Sequence, residues 1–230
     1  MIICSVCHTE NDDLAVVCSS CKSFLQAKVD NINLFETIWG LIESPRGAFK
    51  RIVLSKHKNY VLLLSSTLGV ALAFTILWYL NLGRDFSNLA TLVGTGAILG
   101  PPLGVLFVTV FSIVLRRIAG IIGGKATVRT TYAVVSYASV PIVLSFVVVF
   151  PLELALFGMY FFDNNPPPLV INPVGYVTLI GLDIVTVIWS LFLLIEGSIV
   201  ANGFSRKQSV LIVLAVLLLT ACLAVGLRYV

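Results

Sequence analysis

Four cysteines near the start of the chain stand at a spacing that suits a metal ion. Cys4 and Cys7 are two residues apart, Cys18 and Cys21 likewise, and ten residues separate the pairs. Two Cys-x2-Cys knuckles this close supply four thiolates in the tetrahedral set that structural zinc prefers, so Zn2+ is the expected cofactor. Four protein ligands leave no open position for water, which points away from a catalytic ion. So short a stretch cannot bury a core of its own, and metal binding and folding should be one event. His8, beside Cys7, is read as a solvated knuckle residue. Disulfides, the competing use of such cysteines, need an oxidising compartment.

Ionisable and irregular residues within apolar stretches form a second group. Asp183 lies about nine residues into an apolar run, roughly 14 Å deep at 1.5 Å per residue. A carboxyl there should face the bundle interior. Ser136, Tyr137 and Ser139 are its expected hydrogen-bond partners, in a neutral interhelical bond or in a proton- or cation-handling role. Glu196 is expected to pair with Arg116 and Arg117, which end another run. Glu153 is expected to reach water at the outer boundary. Gly96, Gly100 and Gly104 recur every fourth residue, one small face for close helix contact. Pro101 and Pro102 remove two backbone donors among them, so a kink or break is expected there. Enzyme signatures are missing. The segment at Lys125 lacks the Gly and the hydroxyl of a phosphate loop, having Ala119 and Ala126 instead. The only histidines are His8 and His57, and no second buried Asp accompanies Asp183, so catalysis is not expected.

These residues must be positioned by membrane helices. The chain is 58% hydrophobic and 11% charged, far from the roughly 25% charged average of soluble domains. A crossing needs about 20 apolar residues. Five stretches qualify: roughly 60–82, 89–115, 131–150 with an extension to 162, 174–200 and 209–227. Of fifteen Lys and Arg residues, all but Arg84 and Arg228 fall on the side holding the N-terminus. Cytoplasmic loops keep such an excess, which puts the N-terminus and the cysteines in the reducing cytoplasm and the C-terminus outside. No cleavable signal peptide is visible, so the first span is expected to act as its own insertion signal.

The fold class expected is an all-α membrane protein: five transmembrane helices, a small N-terminal zinc ribbon and an interfacial amphipathic helix. The domains are 1–25 (ribbon), 26–58 (juxtamembrane segment) and 59–230 (five-helix bundle). In the juxtamembrane segment Leu34, Phe35, Ile38, Trp39, Leu41 and Ile42 recur at helical spacing, and Pro45 should break that helix. Arg46, Lys50, Arg51, Lys56 and Lys58 follow with no acid among them, a set expected to grip anionic lipid headgroups. Nucleic acid is not an expected partner, because residues 1–21 contain no Lys or Arg to meet phosphate. Cys222 is read as a small core residue.

Two resemblances sharpen this reading. "CSVCHTENDDLAVVCSSCKSFL" resembles the zinc ribbons at the N-termini of many prokaryotic membrane proteins, which implies protein contacts. "SPRGAFKRIVLSKHKNYVLLL", "GGKATVRTTYAVVSYASVPIVLS" and "IWSLFLLIEGSIVANGFSRKQSVLIVL" resemble the Yip family of five-span membrane domains, whose eukaryotic members interact with Rab-type GTPases. The second stretch carries Tyr132, Tyr137, Ser139 and Pro141 behind a Gly-Gly loop. Coverage is about residues 44–230. The resemblance implies a cytoplasmic N-terminus and a non-enzymatic role in membrane organisation or partner recruitment, and assigns no catalytic residue. The fused ribbon implies a prokaryotic member. The function expected is an adaptor whose ribbon recruits a cytoplasmic protein while the bundle anchors or self-associates. The alternative is a small-solute, ion or lipid transporter using the broken second span and Asp183.

Overall fold

The computed structural model describes residues 1–26 and 30–227, for residues 219 and 221–227 the backbone alone. Lys28, Arg228, Tyr229 and the side chain of Cys222 lie outside the described residues. Two short strands, β1 (Ile2–Ile3) and β2 (Glu10–Asn11), pair antiparallel within the cysteine module. Helix α1 (Leu34–Glu43) starts where Asn33 accepts the Glu36 N–H, and Pro45 begins α2 (Pro45–Leu54) at a position where its missing N–H costs nothing.

Among the described residues, four helices are long and apolar enough to cross a membrane. They are α3 (Val61–Tyr79), α4 (Leu89–Ile121), the continuous pair α5 (Val128–Ala138) and α6 (Val140–Phe157), and α9 (Pro173–Asn202). Short helices α7 (Tyr160–Asp163) and α8 (Pro168–Ile171) connect α6 to α9. Helix α10 (Arg206–Leu227) covers the stretch read as the fifth span. Polar caps set the starts: Asn88, Thr127 and Asn172 each accept a backbone N–H three residues on. Gly203, at φ 72°, ends α9 in the left-handed conformation that a glycine adopts without strain.

Two apolar clusters sit at opposite ends. The one nearer the N-terminal module gathers Phe49, Ile52, Leu115, Val134, Tyr137 and Leu193. The other gathers Phe74, Leu92, Phe157, Phe161, Phe162 and Leu179. With no water to expel between lipid-embedded helices, close backbone approach and hydrogen bonds carry their association. That approach is tightest between α3 and α4, where Gly69 faces Gly100 and Gly104, and Gly96 admits the ring of Phe74. A Cβ on Gly104 would stand 2.5 Å from Gly69 Cα and closer still to the Ser65 carbonyl. The spacing of Gly96, Gly100 and Gly104 thus makes the helix contact it predicts.

Pro101 and Pro102 do not break the second span. Helix α4 runs through them as one element of 33 residues. Their missing N–H groups free the carbonyls of Ala97 and Ile98, while Gly100 O, just before them, lies where only a glycine, Gly69, can meet it.

The juxtamembrane segment divides in two. Phe49 and Ile52 of α2 are fully buried against α5 and α9, with the Phe49 ring filling space that a side chain at Gly197 would take. Phe35, Trp39 and Ile42 of α1 stay exposed on one helical face, Phe35 at 82%. Helix α2 is therefore a docked element, and α1 presents the amphipathic surface.

Candidate functional site

The four thiols converge. Their sulfurs lie within 4.8 Å of one another, with Cys4 and Cys21 at 3.6 Å and Cys7 and Cys18 at 3.5 Å. A tetrahedral ion with metal–sulfur bonds of about 2.3 Å places its ligands about 3.8 Å apart, so the four cysteines are set to hold a metal ion. None is disulfide-bonded. The two knuckles fold alike. Cys4 and Cys18 each accept a backbone bond from the residue four ahead, His8 or Lys22, both at positive φ. Each also donates its own N–H five ahead, to Thr9 or Ser23. His8 is left outside the sulfur cluster.

Asn11 joins the halves. Its amide nitrogen reaches Thr9 O and Cys18 Sγ, and its oxygen accepts from Ser19 N at 2.8 Å and Ser19 Oγ at 3.0 Å. Val6 N–H points at Cys4 Sγ at 3.4 Å. Hydrogen bonding with the side chain and backbone of Thr9 brings the Cys7 thiol down to about 5. The Ser23 hydroxyl draws Cys4 down as well, while Cys21, also bonded by Ser23, is pushed up by Cys7 and Cys4 beside it. Four sulfurs this close form a donor set that could hold a metal ion.

The module is pinned to the helix bundle by charge. Lys125 pairs with Asp12 at 2.6 Å and Lys50 with Asp13 at 3.0 Å. Lys125 and its hydrogen bond hold the Asp12 carboxyl below the usual range. Behind this contact Asn202 Oδ1 accepts the Ala126 N–H, tying the Gly-Gly loop to the end of α9. The ribbon, α1, α2, this loop and the turn before α10 therefore share one end of the bundle. Residues 82–88 and 158–172 share the other, where Gly83 packs on the backbone of Phe162 and Asp163.

Glu196 is 2% exposed and accepts from Arg46 Nε and Arg206, each at 2.6 Å. This replaces the pairing expected with Arg116 and Arg117, which form no ion pair among the described residues. Those arginines end α4, whereas α2 and the start of α10 close over the Glu196 end of α9. The other juxtamembrane cations also meet protein groups: Arg51 pairs with Glu36 and Lys56 with Asp30, each at 2.6 Å. Lys58 Nζ caps the end of α2 at Ile52 O and Val53 O. The acids come from outside the basic run itself, which is why the run looks uncompensated in sequence.

Asp183 accepts from Ser145 Oγ at 2.5 Å, not from Ser136, Tyr137 or Ser139. Register explains the difference. Ser145 is 17 residues beyond Val128 and Asp183 is 19 residues before Asn202, so the antiparallel helices bring these two level. Ser136 and Ser139 lie a turn or more nearer the ribbon end; Ser139 Oγ bonds Ser136 O, and Ser136 Oγ is buried without a partner. Tyr137, fully buried, donates to Asn59 O at 2.7 Å. Asp183 is thus about 15 Å from the start of a helix about 45 Å long.

Glu153 was missed as a partner. It is 3% exposed, does not reach water, and lies within hydrogen-bonding reach of Asp183. The signal was present, since Glu153 interrupts an apolar run extending to residue 162. The pair borders a cavity of about 320 Å3 among α3, α6, α7 and α9. No residue of α4 lines it.

A family model, the Yip1 domain, matches residues 39–227. The chain belongs to the Yip1-domain family. No curated protein and no solved structure matches it. The match begins inside α1 at Trp39, so the cysteine module precedes the Yip1 domain. Helices α2 to α10, with both buried acids, fall within it. Two tyrosines that carry the resemblance anchor the domain around α3. Tyr132 donates to Ser65 Oγ at 2.9 Å, and Tyr137 holds the turn at Asn59 just before that helix. The Gly-Gly loop uses Gly123 at φ 84° to leave α4, and a side chain at Gly124 would strike Asn202 and Phe204. This Yip1 domain is a multi-pass membrane protein fold with a four-cysteine module fixed to one end.

Proposed function

We propose that the chain is a non-catalytic membrane adaptor, with zinc in its four-thiolate module and that module recruiting a protein partner to the Yip1 domain. The observation that carries this reading is the surface of the module. Val6 at 68% and Phe24 at 67% exposure stand out from a metal-centred knob that has no open coordination position. Exposed apolar side chains on a rigid unit this small mark a contact surface. Beneath them, Asp12 and Asp13 fix the knob to the bundle, so a bound partner is held to the membrane rather than to a loose tail.

In this reading α10 is the fifth span, the N-terminus is cytoplasmic and the C-terminus outside, in a prokaryotic cytoplasmic membrane. The charge partition supports that orientation, as does the gathering of ribbon and basic loops at one end. Anionic headgroups then meet the still-exposed flanks of Arg46, Arg51 and Lys56, and the Phe35–Trp39–Ile42 face of α1 lies in the interface.

The test is affinity capture from solubilised membranes with three chains: wild type, Cys4→Ser/Cys7→Ser, and Val6→Ser/Phe24→Ser. The surface variant keeps its metal and loses the partner, and the cysteine variant loses both. Identical partner sets from all three would refute the reading.

A further inference from the structure

The geometry points to a lateral binding groove for a primary ammonium amphiphile, with Glu153 as the acceptor of its head group. The groove is the cavity beside Asp183. Helices α3 and α9 form its sides and α6 its floor, and Ile184 and Ile188 on its α9 side are exposed on the outer surface of the bundle. It therefore opens sideways, toward lipid, rather than along the bundle axis.

Three features define the occupant. First, charge: Glu153 and Asp183 touch, and no Lys, Arg or His lines the cavity. Two carboxyl groups this close and away from water do not both carry full charge, so the site favours a proton or a cationic donor between them.

Second, hydrogen bonding: one Asp183 oxygen is occupied by Ser145, whereas Glu153 Oε1 is buried, borders the cavity and has no partner. Thr75 and Thr186 turn their hydroxyls to helix carbonyls instead. One free acceptor suits one N–H donor. A calcium ion takes six to eight oxygens and sodium needs a comparable shell, which these side chains do not offer.

Third, the walls: Phe74, Phe146 and Phe150 stack at centroid distances of 4.4–6.0 Å, with Trp78 and Phe161 toward the α7 end. Aromatic faces attract a desolvated cation and also accept its hydrocarbon body. An alkylammonium satisfies all three features at once. This site is independent of the adaptor reading, because it lies at the other end of the bundle from the ribbon.

The test uses the full chain in phosphatidylcholine nanodiscs, with Trp39→Phe and Trp189→Phe leaving Trp78 as the only tryptophan. Chain-brominated dodecylammonium, dodecanol and dodecyltrimethylammonium are compared as quenchers of Trp78 at matched bilayer mole fraction. The primary ammonium should quench at roughly tenfold lower mole fraction than the alcohol, the worth of one charge-assisted hydrogen bond. Glu153→Gln should abolish that preference. The quaternary ammonium, which has no N–H, should fall well short of the primary one; this arm needs no further variant. Equal quenching by ammonium and alcohol would overturn the proposal. So would a preference that survives Glu153→Gln, a quaternary probe equal to the primary one, or displacement of the probe by millimolar sodium or calcium.

Discussion

Replacing Gly104 by Ala should separate α3 from α4, and the same replacement at Gly94 should not. Both glycines are in α4, so the helix-propensity gain is common to them, at most about 1 kcal/mol. Their surroundings differ. An added Cβ at Gly94 meets nothing within 4 Å. At Gly104 it would stand 2.5 Å from Gly69 Cα, about 1 Å inside the ordinary carbon–carbon contact distance. The obstacle is backbone of a packed helix, which cannot rotate away as a side chain would. Overpacking of this kind costs about 1–3 kcal/mol. A rigid obstacle puts Gly104 near the upper end, for a net loss of about 2 kcal/mol after the propensity gain. For a chain of this length that corresponds to a Tm lowered by about 4–8 °C. Thermal unfolding in a mild detergent, followed by tryptophan fluorescence, reads the difference, with Gly94→Ala unchanged or slightly raised. Equal behaviour of the two variants would refute the close-contact account of the α3–α4 seam.

Glu196→Gln should release both arginines and cost on the order of 2 kcal/mol, because two charge-assisted bonds are lost while the guanidiniums regain water. The result reads as faster proteolysis of residues 30–54, and an unchanged cleavage rate would count against the latch. Asp12 is a depressed carboxyl, so its stabilising effect is present above the ordinary Asp value and is lost as pH falls through its lower folded value. Docking of the ribbon should therefore loosen only below about pH 4, seen as faster amide exchange in residues 9–26, and Asp12→Asn should show the loosened state at neutral pH. Elemental analysis should find one metal ion per chain. A chelator or Cys4→Ser should remove it and unfold residues 2–26, with α3 to α9 keeping their helicity by circular dichroism.

The parts legible in the sequence were those set by local rules. Cysteine spacing alone specified the knuckles, because two residues between thiols suffice to close each turn on a metal. Continuous apolar length specified the helices, and the Gly96–Gly100–Gly104 row specified a contact face. What escaped was partner choice across the bundle. Glu196 could be assigned to a membrane end, but several arginines share that end, and only the packing of α2 and α10 selects Arg46 and Arg206. Asp183 was placed by depth, yet helices extending past their apolar windows shifted the register, so Ser145 and Glu153 rather than Ser136 and Ser139 came level with it. Pro101 and Pro102 were read by their cost to an isolated helix, yet α4 runs through them as one element.

The two-armed latch at Glu196 also dictates a sequence of events during synthesis. Arg46 leaves the ribosome 150 residues ahead of its acid, and Arg206 follows ten residues behind it. At ordinary translation rates Arg46 of α2 therefore waits roughly 8–30 s for Glu196. Throughout that interval Lys50 and then Lys125 are already available to the ribbon's Asp13 and Asp12, whereas Arg46 has no acid of α9 to bind. Arrival of α9 and the first turn of α10 then closes α2 over Glu196, so this end of the bundle is completed last from segments far apart in the chain.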